Sequence, residues 1–176
     1  MIVEFQITSL QELLDYLPNV HASEYKAIAK DMSLAVADFE PYMTWNEDRY
    51  TRNCIVRTDK YELILLCWEA GQKTSIHCHG GEECWVYNVK GEIKESNFQM
   101  LANIPTKVDS EILKEGLVSY MNDDLGYHKL SNIAEGRSMS LHLYMNPIDN
   151  CTIWNKKLKK FIPVDLKYDT LEGKPV

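Results

Sequence analysis

From residue 50 onward the chain breaks into short runs of strand composition. They are CIVR (54–57), YELILLCW (61–68), CWVYNV (84–89), EIKESNFQML (92–101), GLVSYMN (116–122), HKLSNI (128–133), SMSLHLYM (138–145) and CTIWN (151–155). Each is rich in β-branched or aromatic residues and bounded by Gly, Asn, Asp or Pro, the pattern of strands ended by tight turns. Many short strands at close spacing predict a β-sandwich or barrel. A parallel sheet would interleave its strands with helix-length segments. At 176 residues and 45% apolar content, the chain is long enough for one well-filled domain and short for two. No repeat, low-complexity tract or linker divides it, so residues 1–176 are expected to form a single domain.

The first quarter reads differently. Ser9 is placed to cap a helix whose apolar residues Leu10, Leu13, Leu14 and Leu17 recur at helical spacing before Pro18 stops it. A second helical pattern runs from Ser23, a cap candidate, through Tyr25, Ile28 and Ala29. A third segment, MSLAVADFEPYM (32–43), has Ser33 and Pro41 as its punctuation. The expectation is a mainly β domain in which residues 46–176 form the barrel and residues 1–45 a helical cover.

The formal charge of −7 and the lack of a long basic run argue against nucleic acid or an anionic membrane surface as partner. The one basic cluster, KKLKK at 156–160, reads as a solvated strand or loop. MIVEFQITSLQELL lacks the basic segment and unbroken apolar core of a secretory signal. No apolar run approaches bilayer length. Five cysteines at irregular spacing do not suggest a disulfide framework. A cytoplasmic protein with reduced thiols is expected.

The chemistry concentrates in SIHCHGGEECWVYNVKGEI (75–93). The chain has five histidines, at 21, 77, 79, 128 and 142. On a strand, His77 and His79 point to the same side and can reach one point in space. Burying both without a partner is costly, which favours a metal between them. Counting along an unbroken strand, Glu83 shares their parity and would complete a two-histidine, one-carboxylate face. A turn or bulge at Gly80-Gly81 would reset that parity and bring Cys84 inward instead. Parity alone leaves both open. The order Gly71, five residues, His77, one residue, His79, four residues, Cys84, six residues, Gly91 resembles the first cupin motif with its glutamate replaced by Cys84. His128 and Asn132 in HKLSN resemble the second. The resemblance implies a cupin double-stranded β-helix, or jelly-roll, barrel with His128 as third metal ligand.

SLHLY (140–144) alternates, so Ser140, His142 and Tyr144 share one face. They form either a hydrogen-bonded relay running into the barrel or a solvated strand face. Taken with RYTRN (49–53), LLCWEAG (65–71), SIHCHG (75–80), GEIKES (91–96), YMNDDLGYHKLSN (120–132) and SLHLYMNPIDNC (140–151), the sequence resembles the cysteine dioxygenase family over most of its length. The resemblance implies an Fe(II) enzyme that oxidises L-cysteine with O2 to cysteine sulfinic acid. It assigns His77, His79 and His128 to iron and Arg52 to the substrate carboxylate. It places Tyr50 along the pocket and Tyr144 at the reacting atoms, with His142 and Ser140 behind it. Cys84 becomes the thioether partner of Tyr144, and the barrel is expected to work as a monomer. One departure is Cys78 between the ligand histidines, where mammalian members carry aspartate. Alternation turns it away from the metal, and it reads as packing, as do Cys54, Cys67 and Cys151. Other readings are dioxygenation of another small thiol acid such as 3-mercaptopropionate, or a non-catalytic metal-binding cupin, which needs neither Arg52 nor the SLHLY face.

Overall fold

The computed structural model describes residues 6–21 and 24–176. Ser23, the expected cap of the second helix, lies outside the described residues. Ser9 does cap α1 (Leu10–Tyr16), its Oγ accepting from Glu12 N at 3.2 Å. Pro18 sits in the 3-10 turn Leu17–Asn19 that ends it. α2 spans Tyr25–Lys30. The third segment is a 3-10 helix, Val36–Tyr42, which starts after Ala35 rather than at Ser33. Ser33 is drawn away because its backbone N–H donates to Ile7 O at 2.8 Å, and Leu34 N–H donates to the Tyr87 hydroxyl at 3.2 Å. Among the described residues no helix is long and apolar enough to cross a membrane.

The eight strand-like runs all become strands. In chain order they are β1 (Thr51–Arg57), β2 (Tyr61–Trp68), β3 (Glu83–Lys90), β4 (Ile93–Leu101), then β5 (Ile104–Leu113), which the sequence reading passed over, and β6 (Val118–Met121). β7 (Tyr127–Asn132), β8 (Ser138–Met145) and β9 (Asn150–Asn155) follow, with β10 (Lys160–Asp165), β11 (Thr170–Leu171) and β12 (Lys174–Pro175) completing the set. One sheet runs β12-β11-β1-β2-β8-β3-β6. Opposite it, β5-β4-β7 and β10-β9 are joined through the segment at 73–77, where His77 bridges both His128 and Ile153. The two walls make the jelly-roll.

β2 explains how three layers stack. YELILLCW is buried at every position, as a strand covered on both faces must be. Leu63, Leu65 and Cys67 pack with Leu10, Leu13 and Phe39 under the helical cover. Ile64, Leu66 and Trp68 face the barrel interior with Val86, Ile93 and Leu130. β8 splits the same way. Its Leu141 and Leu143 join the helix-facing layer, while Tyr144 joins the interior. Polar residues of SLHLY therefore face the inside of the barrel.

Candidate metal centre and substrate cavity

His77 and His128 are Cα partners whose backbones exchange two hydrogen bonds, His77 N to His128 O and His128 N to His77 O, each 3.0 Å. Such a pair puts both side chains side by side on one face. Leu130, buried at 1%, shares that face of β7, which therefore points inward. Two residues after His77, the His79 N–H donates to Asp123 Oδ1 at 2.8 Å and Gly81 N–H to Asp123 Oδ2 at 2.7 Å. One carboxylate thus pins both ends of the turn after the HxH pair. Gly80 (φ 65) and Gly81 (φ 97) both occupy the left-handed region, as a tight reversal requires.

That turn decides between the two candidates for the inward position. It delivers Cys84 to the interior at 0% exposure, while Glu83 turns out to the Tyr120 hydroxyl. The ligand atoms of His77, His79 and His128 lie within 4.8 Å of one another, and no carboxylate or thiol belongs to the group.

The imidazoles are oriented from behind. His77 Nδ1 lies 3.0 Å from Ser75 O, and His128 Nδ1 makes a short contact with Glu95 Oε1. Both partners are acceptors, so both Nδ1 atoms carry a proton, and in the neutral rings each Nε2 presents a lone pair. Those Nε2 atoms face each other at 3.1 Å. Two lone pairs so placed repel unless a cation lies between them. Burial and the neighbouring His128 push His77 down to about 3, and burial with the His128 and His77 rings holds His79 well below its usual range. His77 and His79 therefore offer unprotonated nitrogens to whatever cation sits there. The donor set fits a divalent transition metal.

Glu95 is the participant the sequence reading missed. It lies on β4 two residues after the inward Ile93 and is itself 2% exposed. A charged residue on the buried parity of a strand was the available signal. Its carboxylate fixes the proton on His128 Nδ1 and the orientation of the ring.

Next to the imidazoles opens a cavity of about 160 Å³ lined by Tyr50, Arg52, His77, Tyr144, Cys151 and Leu166 among others. Arg52 projects from β1, and its Nε and Nη2 are buried with no hydrogen-bond partner among the described residues. Tyr50 stacks on Trp68, centroids 4.6 Å apart. Tyr144 and Cys84 are directly opposed Cα partners of β8 and β3. Burial, and next the Cys84 thiol, raise the Tyr144 phenol well above its usual range. Burial likewise raises the Cys84 thiol. Ser140 Oγ lies 2.9 Å from His142 Nε2 and accepts from Trp68 Nε1 at 2.9 Å. The other His142 nitrogen, Nδ1, is 3.9 Å from Cys84 Sγ. The Ser140–His142 chain thus leads to the Cys84–Tyr144 pair rather than straight to the phenol. Cys78 Sγ meets Thr152 Oγ1 at 3.1 Å, while Cys54, Cys67 and Cys151 are buried thiols.

A second set of contacts invisible to the sequence reading holds Arg52. Asp169, 117 residues away, accepts from Arg52 N at 2.8 Å and returns its own N–H to Arg52 O at 2.7 Å. It also accepts from Arg49 Nη1 at 3.0 Å and Nη2 at 2.5 Å. The Tyr168 ring lies 6.0 Å from Arg52 Cζ.

Comparison with known proteins agrees with this geometry. Among solved structures, a Thermus thermophilus protein, TT1209, matches with a TM-score of 0.52 at 15% identity, over 62% of this chain and 94% of its own. A Klebsiella pneumoniae protein with a double-stranded β-helix domain matches at 0.50 and 14%, over 60% and 79%. These show the fold. Cysteine dioxygenase type 1 of Bos taurus and of Homo sapiens are each 31% identical over 143 residues, 78% of this chain and 72% of theirs. The Danio rerio protein of the same name is 27% identical over 79% of this chain and 72% of its own length. The sequence model of cysteine dioxygenase type I matches residues 5–157. On these matches and the three-histidine cluster at its centre, the chain belongs to the cysteine dioxygenase type I family.

Proposed function

We propose that this protein is an iron(II)-dependent dioxygenase that converts L-cysteine and O2 to cysteine sulfinic acid. The observation that carries the reading is the pairing, on one cavity, of converging imidazole nitrogens with two buried nitrogens of Arg52 that have no partner among the described residues. A barrel that merely stored a cation would have no use for the second feature. Two donors orphaned on one guanidinium suit a carboxylate gripped through paired charge-assisted bonds. His77, His79 and His128 would hold the metal. Iron(II) held there would supply the redox chemistry by which both oxygen atoms end on sulfur.

The chain's own residues set the conditions. As ligands, three imidazoles would add no charge, so a divalent ion held by them would keep its double positive charge and favour the thiolate form of the substrate. Arg52 fixes the carboxylate end and so the direction from which sulfur approaches. The Tyr144 phenol, held protonated by burial and hydrogen-bonded to Arg52, would donate a hydrogen bond to a substrate bound in the cavity. Cys84 beneath it is positioned for a thioether to the ring, which would lock the phenol in that orientation. Trp68, Ser140 and His142 brace the pair from below. Oxygen uptake by the iron-loaded protein with L-cysteine and with 3-mercaptopropionate, with products identified by mass, tests the assignment. Sulfinate formation with L-cysteine as the preferred substrate is expected. Faster turnover of 3-mercaptopropionate would reassign the substrate, and no uptake with either would leave a metal-binding barrel.

A further inference from the structure

On the outside of the barrel, behind the histidines, lies a cleft of about 510 Å³ whose lining includes Lys73, Lys129, Lys156, Phe98 and Trp154. We propose that this cleft binds a small phosphorylated ligand bearing a flat ring, of the nucleotide class. The placement follows from strand parity. Glu95, His128 and Leu130 point inward, so the pairs Ser96–Lys129 and Phe98–Tyr127 point outward together, and Lys94–Ser131 lies on the same outer face. None of those six residues is a carboxylate, and Lys107 pairs with Phe98 from the other side.

Clustering of this kind runs against the composition. The chain carries a net −7, yet among the described residues no ion pair engages Lys73, Lys129 or Lys156. Burial, followed by repulsion from Lys73 and Lys156, holds the Lys129 ammonium below the usual lysine range. A multiply charged anion seated among the three removes the repulsion and offers several acceptors. Lys156 begins the KKLKK cluster, which the oxidation chemistry does not use.

The aromatic half of the cleft favours a ring over a bare anion. Trp154 stands edge-on to Phe161, centroids 5.2 Å apart, and Phe161 stacks on Tyr127 at 4.2 Å. This wall is braced by its own packing and presents a surface on which a flat heterocycle can stack. Phosphate on the lysines and a base against Phe98 or Trp154 use both halves at once.

Calorimetric titration of the iron-loaded, anaerobic protein with adenosine 5′-monophosphate, adenosine and inorganic phosphate, paired with the Trp154 indole N–H resonance of the zinc-loaded form, tests the proposal. The monophosphate is expected to bind saturably, at least about tenfold more tightly than either half alone, and to shift the Trp154 signal. Lys129→Gln with Lys156→Gln should weaken it by about tenfold or more. Should that pair disturb the fold, Lys156→Gln alone, on an exposed turn, should still weaken binding measurably. The proposal is overturned by absence of saturable binding, by undiminished binding in the lysine variants, or by loss of binding in Arg52→Ala, which would move the ligand to the inner cavity.

Discussion

Replacing Glu95 isolates how much of the metal's affinity is set by a residue that never touches it. In Glu95→Ala the His128 Nδ1–H loses its acceptor inside a wall where the residue is 1% exposed. Leaving such a donor unsatisfied costs about 1–3 kcal/mol. The ring is then free to turn or change tautomer, and loss of an outer partner of this kind weakens metal binding by about 10–100-fold, or about 1.4–2.8 kcal/mol at 1.4 kcal/mol per decade. Glu95→Gln keeps an acceptor of the same reach but removes the charge. A charge-assisted bond exceeds a neutral one by about 1 kcal/mol, so a weakening of about fivefold is expected. Affinity is read by anaerobic competition with a chromophoric chelator, using zinc and iron(II) separately, with thermal unfolding of the metal-free proteins as a control. The ranking wild type, then Gln, then Ala is the expected result. Equal affinity of wild type and Glu95→Ala, with the fold intact, would refute the role given to the carboxylate.

Two other perturbations probe separate parts of the site. Intact mass after turnover with cysteine in air should reveal a species lacking a pair of hydrogens in the wild type and none in Cys84→Ala; the same species in the variant would place the cross-link elsewhere. Asp169 tests the brace behind Arg52 through pH. Hydrogen bonds from Arg49, opposed by burial, hold its carboxyl below the usual range. A depressed folded value stabilises the native state above the unfolded pKa of about 3.9, and the contribution fades as pH falls through the folded value. The stability gap between wild type and Asp169→Asn in urea should therefore be full at pH 7 and shrink on approaching pH 3. A gap that stays constant would mean the carboxylate's charge is not what anchors this segment.

Most of the barrel was legible because its strands obey a simple rule. Alternation on β8 and unbroken apolarity on β2 report directly which layer each side chain enters. β5 escaped because it forms the outer arm of a solvated hairpin and carries polar residues on both faces, so no buried side imposes a pattern. The rivalry between Glu83 and Cys84 could not be settled by counting, since two left-handed glycines break the count. The three histidines and the arginine were readable as residue types at a spacing. Their supports were less so. Glu95 could have been found from its parity with Ile93, whereas Asp169 and Tyr168 reach β1 across more than a hundred residues, a distance over which local pattern carries no information.

That last connection makes two parts of the site separable. His77 and His128 are held together by their own backbone bridge, whereas the support behind Arg52 comes from the segment that ends in β11 beside β1. Detaching that C-terminal segment would therefore free Arg52 from its brace while leaving the histidine bridge in place.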